Sequence, residues 1–182
     1  MNWTIPGTTL QIQKSDACRV DGLFQSMFMA GGMVLSQVAS ITGLEAYTIQ
    51  NWVKRGLLPP PERKRYSMNQ LCSVIHINML KSVLPMEQIC GLLSYINGQL
   101  DDESDDIIDA SHLYFLFVRL AAQVRALNEP EERDRIIGDA LADYREPSPG
   151  AKERVAKALQ IMLTAWVAAR LRQEAETMIA QL

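Results

Sequence analysis

Residues 35–66 read LSQVASITGLEAYTIQNWVKRGLLPPPERKRY, and the fold turns on how that stretch is punctuated. Val38, Ala39 and Ile41 share one face of a short helix, and Gly43 stands where a tight turn asks for positive φ. Leu44, Ile49 and Trp52 then line one face of a second helix, with Ala39 small where the two helices come closest. Two short helices locked at a steep angle by shared apolar residues make a helix-turn-helix. Gly56 follows as a C-terminal stop, Pro59-Pro60-Pro61 bars further helix, and the basic run Arg63-Lys64-Arg65 ends in Tyr66. That succession reads as a wing beside a recognition helix.

Charge supports the reading because it is unevenly placed. A chain of 182 residues can bury a real core as one large domain or two small ones, and 48% hydrophobic with 21% charged residues describes a soluble globular protein. A net charge of −3 argues against indiscriminate coating of nucleic acid. Between Leu35 and Lys81, however, six cations (Lys54, Arg55, Arg63, Lys64, Arg65 and Lys81) meet only two anions, Glu45 and Glu62, a net +4. Between Asp101 and Glu146 thirteen acids outnumber five arginines, a net −8. A basic module on an acidic body suits a selective regulator: phosphate contacts supply affinity and the acidic remainder limits non-specific binding.

The landmarks resemble the MerR family of bacterial transcription regulators. Val38-Ala39, Thr42-Gly43, Thr48-Ile49, Trp52, Gly56-Leu57-Leu58-Pro59, Arg65-Tyr66-Ser67, Leu71, Leu80-Lys81, Ile89 and Leu92-Leu93 fall in that family's order, over about Met33 to Asn97. Within the superfamily the short wing and the Lys-Arg-Tyr-Ser ending look closest to an uncharacterised bacterial group catalogued only as a domain of unknown function. The resemblance implies a winged helix-turn-helix and DNA-binding transcription regulation. The chain departs from the pattern at Tyr47 and Gln50, where many such proteins carry arginines, and at Asn51-Trp52, which replace a tyrosine pair.

On this reading the helix over residues 46–55 enters the major groove with Tyr47, Gln50 and Asn51 toward base edges. Lys54 and Arg55, with Arg63, Lys64, Arg65 and Tyr66 of the wing at 62–66, take the phosphate backbone. Gln and Asn pair with adenine in a bidentate manner, so the expected site carries A·T pairs. Tyr47 has a second reading as a surface aromatic packed on the wing.

The expected fold is all-α: an N-terminal arm and short helix (1–32), a MerR-like winged helix-turn-helix domain (33–100), and a C-terminal three-helix bundle (101–182). Residues 1–20 lack helical periodicity and read as an irregular arm, followed by a helix over 21–30 carrying Leu23, Phe24, Met27, Phe28 and Met29. Ser67 is positioned to cap a helix to about Val83, and Pro85 to open one that Gly98 closes. An acidic linker over 101–106 leads to a central helix from about Asp106 to Leu127, and Asn128 with Glu131 forms a capping-box-like start for the next. The last helix, about Pro149 to Gln181, carries a drifting apolar stripe that suits a straight bundle helix better than a fixed heptad.

No enzyme is expected. The sequence has no phosphate loop, dinucleotide fingerprint or Gly-x-Ser-x-Gly elbow. Cys18, Cys72 and Cys90 have no C-x-x-C spacing and imply a reducing compartment, and His76 and His112 read as structural side chains, so neither metal nor cofactor is expected. Asp109 with His112 lacks a third ligand, and the 101–106 acids lack the spacing of a calcium loop. A membrane segment is not expected, and the cytoplasm is the expected location.

The expected partners are double-stranded DNA and a second copy of the chain, paired through the Met-rich Leu23–Met33 segment and the long last helix. The C-terminal helices would receive a small-molecule effector or a protein. Tyr114, Phe115, Phe117 and Trp166 either line an apolar pocket or fill a core. The alternative function is a helical protein-interaction module on a winged-helix scaffold without sequence-specific DNA binding.

Overall fold

Helix boundaries fall where the sequence supplies caps, and the resulting rods pack around one buried α-helix. The computed structural model describes residues 2–101, 105–123 and 130–182. Among the described residues it is mostly helical. Strands β1 (Asn2–Thr4) and β2 (Gln11–Gln13) are followed by a 3-10 turn over Lys14–Arg19. The helices are α1 (Val20–Met27), α2 (Leu35–Thr42), α3 (Ala46–Lys54), α4 (Met68–Leu80), α5 (Met86–Asn97), α6 (Ala110–Gln123), α7 (Pro130–Ala140) and α8 (Ala151–Ile179).

The stops act as their chemistry dictates. Gly43 (φ 67°) ends α2 in the left-handed region, and Gly56 (φ 69°) ends α3. There the Leu57 N–H donates to the Trp52 carbonyl and the Gly56 N–H to that of Val53, so two carbonyls left free by the last turn are satisfied. Ser67 Oγ accepts from the Gln70 N–H and Gln70 Oε1 from the Ser67 N–H, a reciprocal cap that fixes where α4 begins. Pro85 stands at the cap position of α5 instead of its first turn.

The N-terminal segment is not an irregular arm. β1 and β2 pair antiparallel with Trp3 opposite Ile12, and the loop between them is built into the core: Ile5 is fully buried and the Pro6 carbonyl accepts from the Tyr114 hydroxyl at 2.7 Å. Three-residue strands are too short to show alternation, so sequence periodicity could not find them. The all-α expectation is corrected to that extent.

α6 is the central rod. From Leu113 to Val118 every side chain is buried, because α4, α7, α8, α1 and the Lys14–Arg19 turn pack around it. One continuous apolar cluster runs from Ile5 through Trp52, Ile75 and Phe117 to Val167. The aromatic group expected to line a pocket or fill a core does the latter: Phe24 lies edge-on to Tyr114 and Phe115 at 5.6 and 5.4 Å, and Phe117 meets Trp166 at 6.2 Å. The acidic linker residues 102–104, helix residues 124–127 and the Asn128 cap lie outside the described residues.

α8 explains its own drift. Val155, Leu159, Met162, Leu163, Trp166 and Val167 are buried, whereas Leu171, Ala175, Met178 and Ile179 are exposed. The first set faces the bundle and the second lies on the far side of the same helix. Among the described residues, no helix is long and apolar enough to cross a membrane.

Candidate nucleic-acid interface

The α2–α3 pair is held at its elbow from outside. Asn78 of α4 donates to the Thr42 carbonyl at 2.8 Å and to the Gly7 carbonyl at 2.9 Å, tying the turn to α4 and to the N-terminal loop. Thr9 donates through its N–H to Ile41 (2.7 Å) and through its hydroxyl to Ser40 (2.9 Å), satisfying carbonyls at the end of α2. On α3, Ile49 and Trp52 point inward, and Lys81 Nζ sits 5.8 Å from the Trp52 ring centroid.

With that face spent on packing, Tyr47, Gln50, Asn51 and Lys54 remain exposed. Their spacing of three, one and three residues puts them on a single outward stripe of α3. Arg55 is also exposed, at the C-cap beside Lys54. Tyr47 is 64% exposed, so it is not covered by the basic turn.

The basic turn has an unusual backbone. The Arg65 N–H donates to the Glu62 carbonyl at 2.8 Å, closing a four-residue turn whose central residues, Arg63 (φ 48°) and Lys64 (φ 63°), both have positive φ. That is the type I′ pattern, which favours Asn-Gly. Placing side chains with a Cβ there costs roughly 1–2 kcal/mol per residue. The local gain is position: both cations stand at the tip of the turn, exposed.

Arg65 and Tyr66 are placed differently from the other site residues. The Arg65 guanidinium donates to the Gly32 carbonyl at 2.8 Å, so it braces the turn while remaining exposed. Tyr66 is 3% exposed, and burial raises its phenol above the ordinary value. Its backbone exchanges two hydrogen bonds with Met33, at 2.9 and 2.7 Å, which anchors the turn to the segment before α2. As a surface contact Tyr66 is thereby corrected: its side chain is part of the core.

Of the nine expected residues, therefore, eight are exposed on α3 and the turn, and one holds them in place. Lys54, Arg55, Arg63, Lys64 and Arg65 have no carboxylate partner among the described residues. The positioning roles of Thr9 and Asn78 left no trace in the sequence, because each acts across more than thirty residues. No cluster of three His, Cys, Asp or Glu among the described residues could hold a metal ion.

Comparison with known proteins adds two findings. Residues 31–117 match a family described as "Domain of unknown function (DUF1836)", a span that takes in the α2–α3 pair, the basic turn, α4, α5 and part of α6. The uncharacterized protein YkrK of Bacillus subtilis (strain 168) is 34% identical over 84 residues, covering 44% of this chain and 36% of that protein. The chain thus spans little more than a third of that relative's length. No solved structure matches.

Proposed function

We propose that the protein is a DNA-binding transcription regulator built on a MerR-like winged helix-turn-helix, with α3 as recognition helix and the 62–65 turn as wing. The observation that carries this is the turn: the backbone holds Arg63 and Lys64 in a conformation that glycine would adopt without strain, and the helix that precedes the turn in the chain offers Gln50, Asn51 and Lys54 on its open face. Cations kept at such a position without a carboxylate partner among the described residues suit phosphates, and the amides of Gln50 and Asn51 suit base edges. In solution the expected signature is salt-dependent binding to duplex DNA. Lys64→Ala should weaken binding to all duplexes alike and lower the slope of log affinity against log salt by about 1, as one lost phosphate contact does. An unchanged slope in that variant would remove the wing from the interface.

A second copy of the chain completes the proposal. Ile161, Thr164, Ala168, Leu171, Ala175 and Met178 recur at spacings of three and four along the exposed side of α8, over roughly 26 Å at 1.5 Å per residue. At its upstream end this stripe borders an open groove of about 580 Å³ floored by Val83, Leu84, Ile161 and Ala165. Arg170 and Arg172 precede Glu174 and Glu176, so antiparallel pairing centred near Gln173 sets the cationic block of each helix level with the anionic block of its partner, while parallel pairing would stack like on like. Two-fold pairing would give each operator two recognition helices.

The competing function is a protein-interaction module without sequence-specific DNA binding. It draws on one observation: α3 exposes no cation ahead of Lys54. Retained pairing of the chains with no DNA binding at low salt would favour it.

A further inference from the structure

Behind the segment that joins α3 to the basic turn lies a small cavity of about 30 Å³. It is lined by Leu57 and Pro59 of that segment, by Ser73 and His76 of α4, and by Asn97 of α5 and Asp106. Two of the lining residues carry a buried polar atom, His76 Nε2 and Asn97 Oδ1, without a hydrogen-bond partner among the described residues. His76 is 1% exposed, and burial lowers its imidazole to about 3, so the ring is neutral.

Native interiors leave few polar atoms unpaired, and two on the walls of one cavity call for a shared partner. The size of the cavity selects it. A water needs roughly 10–15 Å³ of such space and two to four polar neighbours, whereas organic ligands occupy cavities of about 300 Å³ or more.

We propose that one water molecule is a fixed constituent of this joint, bridging His76 Nε2 and Asn97 Oδ1. Asn97 Oδ1 only accepts, so the water donates to it. The remaining hydrogen or a lone pair then meets His76 Nε2, whichever tautomer the ring adopts. The site lies where the segment carrying the basic turn rests on α4 and α5. That same segment is held by Gln70 Nε2, which donates to the Pro59 and Pro60 carbonyls at 3.2 and 3.0 Å. His76 and Asn97 are thus positioning residues for the turn, acting through a solvent molecule alongside the direct Gln70 contacts.

The test needs no DNA, so its outcome is independent of the proposed regulator function. A crystal structure of the full chain at a resolution that orders solvent should show one peak within about 2.7–3.2 Å of both atoms. In solution, the Asn97 side-chain amide should exchange magnetisation with a long-lived water. Replacing Asn97→Leu should abolish that water, shift the His76 imidazole ¹⁵N resonances and move the backbone amides of residues 57–64. A dry cavity, or a direct His76–Asn97 hydrogen bond in the wild-type crystal, overturns the proposal. So does a His76 imidazole spectrum indifferent to Asn97→Leu in a folded variant.

Discussion

Helix α3 and the last part of α8 are both amphipathic, yet each leaves the other kind of face open. α3 buries Ile49 and Trp52 and presents Tyr47, Gln50, Asn51 and Lys54. Beyond Val167, α8 is tied to the bundle by Arg172, which donates to the Ser82 carbonyl at 2.6 Å, while Leu171 (61% exposed) and Met178 (63%) stand in solvent. On the proposed function, the open polar stripe and the basic residues that lack a carboxylate partner among the described residues suit a polyanion. An open apolar stripe at heptad spacing calls for another helix. The two surfaces belong to one molecule because α4 packs against α2 as well as against α6 and α8, and α6 packs against α8 in turn.

The largest expected effect tests the α8 side. The double change Leu171→Glu, Met178→Glu removes two side chains that each contribute about 1.5–3 kcal/mol when buried, and symmetry doubles the loss. Self-association should weaken by a factor on the order of a thousand or more, measured by sedimentation or light scattering. Duplex affinity per α3 should survive in the monomer. If association is unchanged, the stripe is not the interface and the contrast between the helices fails.

Next in size is a titration that affects both surfaces through the core between them. The neutral His76 ring, at about 3 when folded against an ordinary 6.5, binds its proton less readily in the folded chain than in the unfolded one. The stability this contributes is therefore fully present above pH 6.5 and is lost as pH falls toward 3. The limiting slope is about 1.4 kcal/mol per pH unit for one proton. Denaturant unfolding between pH 6 and pH 4 should show it, and His76→Leu should flatten His76's share of the slope. An equal slope in the variant would mean that other groups govern acid unfolding.

A smaller effect sharpens the reading of the basic turn. Changing Arg63→Asn together with Lys64→Gly gives the turn the residues its backbone favours, so unfolding free energy should rise by about 1 kcal/mol or more. DNA affinity should fall in the same variant. Stability and binding moving in opposite directions would mark the strained conformation as retained for a partner. A variant that loses stability would show that the turn is not held as described.

The contrast between the surfaces also bears on what the sequence could reveal. The α2–α3 pair was legible because its limits are set by local chemistry: Gly43 and Gly56 at left-handed positions and the Ser67–Gln70 cap. The outward stripe of α3 followed from the same helical period. Tyr66 was misplaced because an aromatic that closes a basic run reads alike whether it faces solvent or core, and only its pairing with Met33 decides. The positive φ of Arg63 and Lys64 ran against propensity, since neither residue type signals a type I′ turn. On α8 a drifting stripe concealed two faces, one packed and one bare, because apolar residues look the same before their partners are known.

The central claim is sequence-selective DNA recognition by α3, and selection from a pool of randomised duplexes, at low and at physiological salt, tests it most directly. Wild-type protein should enrich a two-fold symmetric site bearing A·T pairs at the positions read by Gln50 and Asn51. Gln50→Ala with Asn51→Ala should lose preference at those positions, with discrimination reduced by about 1–3 kcal/mol for each bidentate contact removed. The same enriched pool for variant and wild type, or binding that selects no sequence at either salt, would contradict it.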